Sequence, residues 1–392
     1  MRERGATAIQ LAVIFVPVLL GFMGFAVDLG RLYLVRGELN TAANAMALAA
    51  AQRLIGTDAS TETATAATQL AVNRYDFGGV VIGEGSPAPE PLYFDTRSAT
   101  NQVSGASARY VRIDLTADAP LIFWSFLSLG QSRRTPIAGR GVAGISAPLC
   151  TACGIEPIAI APIDAGDTTD FGFIRNSRYT FGFFCTGNPT PGGLGGAPQR
   201  IPYLVLNRLN DEATLFPDES SQLFRIGASG LPPHNNPARA CLTVNAAELQ
   251  WANAAPIACN QNRVPELVTN FACGVATRFD ATLQTGCTAI PEVDTIASAY
   301  VADTDVTNLD DYAAYTGNSR RLMTVPVVDI LTPGGAMTIL GFRQFIVQPE
   351  VSANDTNGRF VASYIGSVVP VRQGSFGGCR QTAGPGKVVL HE

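Results

Sequence analysis

No charged residue occurs from Gly5 to Val27, and the run GATAIQLAVIFVPVLLGFMGFAV is long enough for the roughly 30 Å hydrocarbon core that about 20 helical residues cross. Asp28 ends it. Beyond Asp28, Leu32, Val35, Leu39, Ala42, Met46 and Ala49 recur at alternating steps of three and four, the seam that one side of a helix presents to a partner. One helix is therefore predicted to continue out of the apolar run to Leu54, a rod of about 70 Å at 1.5 Å per residue, half of it beyond the bilayer. Pro17 removes one backbone donor in mid-run and is expected to kink or loosen the helix. The outer half, LNTAANAMALAAAQRL, carries small side chains on most faces and suits packing against like helices.

Arg2 and Arg4 precede the run, so the positive-inside rule puts the N-terminus in the cytoplasm and the residues after Val27 outside. Arg31 and Arg36 lessen that asymmetry without reversing it. A cleaved secretory signal is the alternative to a retained anchor. The apolar run exceeds the length of an ordinary signal core and passes into helix without a small-residue cleavage site, which favours retention.

Four features in order, Arg4-Gly5, Pro17, the Ala26 to Arg31 stretch AVDLGR and the Leu39 to Ala50 run, resemble the N-terminal segment of TadG-like proteins of the Tad (Flp) pilus-assembly system. The resemblance covers about 50 residues. It implies a bacterial inner-membrane protein facing the periplasm, whose partners are the bilayer and other Tad pilus-assembly proteins or pseudopilins met through this helix. Related pilins carry a Gly followed five residues later by Glu; counting from Gly5, that position holds Gln10. A neutral amide does not supply the charge pair that Glu gives in pilins, so processing at Gly5 and entry into a filament both stay open. The Asp-x-Ser-x-Ser metal motif of family members with a von Willebrand A-type domain is not in this sequence.

The 392 residues hold one or two domains after the helix, and 46% apolar residues suffice for a core. Only 15% are charged, the net charge is −5 and no Lys/Arg cluster exists, which argues against nucleic acid as a partner. The expected fold is α+β, in three parts. Residues 1–55 form the membrane-spanning and Ala-rich helix, residues 56–148 a small α+β unit, and residues 149–392 a mainly antiparallel β domain stapled by disulfides. The family resemblance makes the middle unit pseudopilin-like.

Within the middle part, an Ala-rich helix is expected from Ser60 to about Tyr75, with Asp58 or Ser60 as its cap. Val111, Ile113 and Leu115 alternate with Arg112 and Asp114 as in a half-buried strand. Pro120 to Leu129, PLIFWSFLSL, is too short to span a bilayer. We expect it to plug the core of the small unit; the alternative is a membrane-surface patch. Residues 135–147 return as a strand whose Gly139, Gly141 and Gly144 have the spacing of a dinucleotide fingerprint. The fingerprint needs a helix to start within it, and Ile145-Ser146-Ala147-Pro148 starts none. These glycines instead suit bulges or close packing of the strand.

All eight cysteines, Cys150, Cys153, Cys185, Cys241, Cys259, Cys273, Cys287 and Cys379, lie in the last part. An even number outside the cytoplasm fits disulfides, without fixing their pairing. Cys150-Thr-Ala-Cys153 also has the spacing of a redox pair or half a zinc site. The runs at Tyr179 to Cys185, Tyr203 to Leu206, Leu223 to Ile226, Leu322 to Leu331, Met337 to Pro349, Arg359 to Val371 and Lys387 to Leu390 read as strands of an antiparallel sheet or sandwich.

For catalysis the chain offers little. Its two histidines are His234 and His391, and no Gly-x-Ser-x-Gly elbow, HExxH or Walker A motif is present. The remaining chemical clusters are Asp164, Asp167 and Asp170, and Asp303, Asp305, Asp310 and Asp311. The second opens like a calcium loop but lacks its sharp-turn glycine, leaving solvated carboxylates or an irregular Ca²⁺ site at Asp303 and Asp305. No other cofactor is expected. The expected function is non-enzymatic: a structural component of Tad/Flp pilus assembly, with a pilus-associated minor pilin or adhesin as the alternative and an anchored hydrolase as a third.

Overall fold

The structure, a computed structural model, describes residues 3–68, 73–74, 81–82, 90–98, 100–127, 134–153, 155–156, 158–184, 199–205, 241–245, 275, 278–279, 302–307, 311–332, 337–349, 359–371 and 373–391. The long helix α1 spans Glu3–Ala51 and runs through Pro17 without interruption. Among the described residues it is the one helix long and apolar enough to cross a membrane. Its two halves differ in surroundings. From residue 9 to residue 34 only Gly24 and Asp28 are buried, whereas Val35, Leu39, Ala42, Ala43, Met46, Ala47, Ala50 and Ala51 all lie in a core.

The α1 seam of threes and fours is covered by this chain's own sheet. Short strands β1 (Asn73–Arg74) and β2 (Val81–Ile82) pair with each other, and β3 (Leu92–Phe94), β4 (Tyr110–Pro120) and β5 (Arg134–Ile145) form an antiparallel meander. In β4 the inward residues are Val111, Ile113, Leu115, Ala117 and Ala119, so the alternation visible in the sequence extends two further pairs. These side chains and Ala143 and Ile145 of β5 meet Leu39, Met46 and the α1 alanines in one cluster, with Leu32 at its edge. Full burial of a side chain such as Leu39 contributes about 1.5–3 kcal/mol.

Alanines on α1 and glycines on β5 bring the two backbones together. A Cβ on Gly139 would sit 2.6 Å from Leu39 Cβ, and one on Gly141 would sit 2.5 Å from the Ala43 oxygen and the Asn44 nitrogen. Gly144 lies under the Tyr110 ring. Of the formal dinucleotide spacing, Gly139 and Gly141 are thus helix-packing positions of a strand, and Gly144 makes room for Tyr110 of the neighbouring strand. A second helix, α2 (Ser60–Ala67), packs on α1; its N-cap is Ala59 rather than Asp58 or Ser60, and the Ser60 hydroxyl accepts from the Thr57 amide.

In the body, β6 (Thr151–Cys153) is the middle of a three-stranded sheet. Strands β7 (Ile158–Ile160), β8 (Arg178–Phe183), β9 (Gln199–Val205), β11 (Leu322–Val328), β12 (Ile339–Val347) and β13 (Phe360–Tyr364) close into a six-stranded barrel ordered β11-β12-β13-β8-β9-β7. Strand β10 (Cys241–Thr243) flanks β6 on one side and β15 (Gly374–Ser375) on the other. The barrel is filled by Phe173, Tyr179, Phe181, Tyr203, Phe345, Phe360 and Tyr364. Such a packed interior is expected of so few strands.

One expectation needs correction. The body is a barrel of mixed direction, not an antiparallel sheet or sandwich, because β8 pairs with β9 and β11 with β7 in parallel. The last strand, β16 (Gly386–His391), pairs with β5, and β14 (Pro370–Val371) adds in parallel to β16. The sheet under α1 thus draws on both sides of the residue 148/149 division. Leu223 to Ile226 lies outside the described residues.

Candidate functional site

Between Arg4 and Asp28 α1 carries no charge, and a buried carboxylate at the level of Asp28 needs partners. A short helix, α3 (Ile122–Leu127), supplies them. Asp28 Oδ1 accepts from the amides of Ile122 (2.9 Å) and Phe123 (3.1 Å), and Oδ2 accepts from Trp124 (3.0 Å). These are the first-turn donors that no helix can satisfy internally. One turn towards the N-terminus, the Phe123 ring rests on Gly24, where a Cβ would collide with it. Gly24 and Asp28 together dock α3 on the last turn of the apolar run.

For the side chains described, Pro120 to Trp124, the expectation that PLIFWSFLSL plugs a core is overturned. Ile122 is 55% and Trp124 47% exposed, because α3 is tied to the side of α1 instead of being covered by the sheet. Asp28→Ala leaves three amides without their acceptor at once. A lost cap costs about 0.5–2 kcal/mol, so amide exchange at Ile122, Phe123 and Trp124 should quicken by roughly tenfold while exchange in β4 is unchanged.

The other residues singled out from the sequence fall in three groups. On α1, Gly5 lies in the first turns, Gln10 and Pro17 are exposed, Leu32 is half-buried, and Leu39 and Met46 are buried under the sheet. Among the cysteines, Cys150 is bonded to Cys379, with Cα atoms 5.6 Å apart, closing a separation of 229 residues. Cys153 is itself disulfide-bonded, and Cys241 is its register partner on β10. Cys150 and Cys153 are therefore not a pair with each other, and the segment between them is the strand β6, where a redox motif opens a helix. Cys185, Cys259, Cys273 and Cys287 lie outside the described residues.

The carboxylates form the third group. Asp303 Oδ2 accepts from the Tyr315 hydroxyl (2.6 Å) and the Arg321 amide (2.8 Å), while Oδ1 accepts from the Asp305 amide (2.9 Å). Asp305 accepts from the amide and hydroxyl of Thr307 and from Thr316. Burial opposes ionisation of Asp305, but these donors and the Arg321 guanidinium hold its carboxyl below the usual range. Arg321 is fully buried and donates to the carbonyls of Val347, Asp305 and Thr307. Donors and a guanidinium stand where a calcium ion would need free oxygens. Among the described residues no group of three metal-ligating side chains occurs.

Asp167 likewise accepts from the amides of Thr169, Asp170 and Gly172, and Asp170 accepts from the Tyr364 hydroxyl. Asp164 accepts from the Gly166 amide, and Asp311 from Ala313 and Asn176. Asp310 lies outside the described residues. Sequence reasoning missed the role of Asp28 as a cap. The signal available was an acidic residue at the end of the apolar run and an apolar hexamer with no capping side chain of its own.

A further contact joins the end of α1 to the barrel. The Tyr312 hydroxyl donates to the Ile55 carbonyl (2.9 Å), the Asp58 amide donates to the Ala313 carbonyl, and Ile55 packs with Tyr312, Tyr315, Leu322 and Ile346. The helix is thereby fixed to the body at its far end as well as along the sheet.

No curated protein and no solved structure gives a significant match to the chain. Residues 5–53, which are nearly the whole of α1 and include Gly24 and Asp28, match the Tad family model, described as Flp pilus-assembly TadE/G-like, and the chain thus carries a TadE/G-like segment as its N-terminal helix.

Proposed function

We propose that the chain is a membrane-anchored structural component of Tad/Flp pilus assembly, with its body in the periplasm and no catalytic activity. The observation that carries this reading is the family match over α1, whose residues from Ile9 to Leu34 are exposed and apolar on nearly every face. A surface of that kind and length belongs in lipid. The outer half is already occupied by its own sheet, so partners in the pilus machine meet the membrane-level surface of α1 or the body, not the Ala-rich seam. A helix half-packed on an antiparallel sheet is the arrangement a pseudopilin-like unit would have. The Cys150–Cys379 bond and the bonded Cys153 fit an oxidising compartment and a body stapled by further bridges. Asp303 and Asp305 are saturated by donors and support a structural role.

Deletion of the gene and complementation test the assignment. Assembly function predicts that cells lacking the chain bear few or no pili and that the full chain restores them. Normal pili with reduced attachment would instead make it an adhesin.

A further inference from the structure

We infer that α3 is a second membrane contact, an in-plane wedge whose Ile122 and Trp124 enter the interface of the bilayer that α1 crosses. The inference rests on the anchored reading of α1 and adds to it where the body sits. Three observations point to lipid. First, α3 is held at Gly24 and Asp28, in the last turn of the uncharged run, so its height relative to the bilayer is set by α1. Second, Phe123 contacts Gly24, four residues up the helix from Asp28, and so reaches about 6 Å deeper than the carboxylate at 1.5 Å per residue. Interfacial helices insert about 5–10 Å. Third, the exposed side chains of α3 continue the surface of α1 at the same level, where Phe22, Met23, Phe25 and Val27 are also exposed.

The chemistry of the boundary agrees. Trp is favoured at the level of lipid headgroups, where its ring is apolar and its indole N–H finds polar partners. The amides of the first turn of α3, which would be costly in lipid, are already satisfied by Asp28. On the aqueous side the exposed Arg134 begins β5, and it suits phosphate headgroups. Two attachments, one spanning and one lying flat, set the tilt over the bilayer of the unit that α1 and the body form together.

Trp124 and Trp251 are the two tryptophans of the chain, which makes the test direct. Full-length Trp251→Phe protein is reconstituted in phosphatidylcholine nanodiscs carrying bromine either near the glycerol end or near the methyl end of the acyl chains. The expected result is co-elution with the discs, blue-shifted emission and roughly twofold quenching by the shallow bromines, with less by the deep ones. The difference between the unmodified chain and Trp124→Phe provides the same reading if Trp251→Phe disturbs the fold. Disc-bound protein whose Trp124 is unquenched overturns the wedge and leaves the anchor standing, including the case of blue-shifted emission from cover by protein. Protein that does not co-elute with discs overturns both.

Discussion

Gly141→Val is expected to be among the most damaging single substitutions in the chain. Its Cβ would meet the Ala43 carbonyl oxygen and the Asn44 nitrogen at 2.5 Å, and backbone inside a helix cannot rotate away as a side-chain tip can. Overpacking costs about 1–3 kcal/mol where side chains yield, and here the whole of α1 must lift from β5, opening the cluster around Leu39 and Met46. We expect thermal unfolding of the full chain in detergent to shift down by several degrees, with loss of protection along β4 and β5. Gly37→Ala is the contrasting change. A Cβ there would meet no side chain or other element within 4 Å, and removing a glycine from a helix interior should add about 0.5–1 kcal/mol. Equal stability of Gly141→Val and the unmodified chain would contradict the packing of α1 on this sheet.

The second large effect is expected at Asp303. Asp303→Ala leaves the Tyr315 hydroxyl and the amides of Arg321 and Asp305 without their acceptor, and places the buried Arg321 guanidinium next to one carboxylate fewer. Breaking one side of a buried charged network costs about 3–5 kcal/mol. Tyr315 and Tyr312 stack and carry the contact to Ile55, so the loss should loosen the end of α1 from the barrel as well as the barrel itself. Asp305 adds a pH dependence. Its folded pKa lies below the ordinary value of 3.8, so its contribution is fully present above that value and is lost as the pH falls through the lower folded pKa. Acid titration of stability should steepen below about pH 4, and Asp305→Asn should flatten that limb. Asp303→Ala protein that unfolds like the unmodified chain would return Asp303 to the role of a free ligand or catalyst.

Local pattern carried much of the architecture into view. The uncharged run, the seam from Leu32 to Met46 and the alternation at Val111, Ile113 and Leu115 all appear where periodicity places them, since each is a property of one element's own face. What covers a face is not local. The α1 seam reads equally well as a site for another helix, and only β5, brought close by Gly139 and Gly141, decides that it is filled from within. Parallel pairing of β11 with β7 and the return of β16 to β5 join segments far apart in sequence, which leave no short-range signature. The cap on α3 is the same kind of case. Asp28 and Ile122 are 94 residues apart, and neither sequence neighbourhood names the other. The acidic residues around Asp303 read as loop carboxylates because their burial depends on Tyr315 and Arg321 arriving from a later turn.

Anchoring by α1 is the claim on which the proposed role depends, and partition of the chain after mechanical shearing of cells tests it most directly. Carbonate-washed inner membranes should retain the chain nearly quantitatively, with an intact mass that still includes the residues before Ala6. Recovery of the chain in the sheared pili, with a mass beginning at Ala6, would contradict the anchor and make α1 a filament helix.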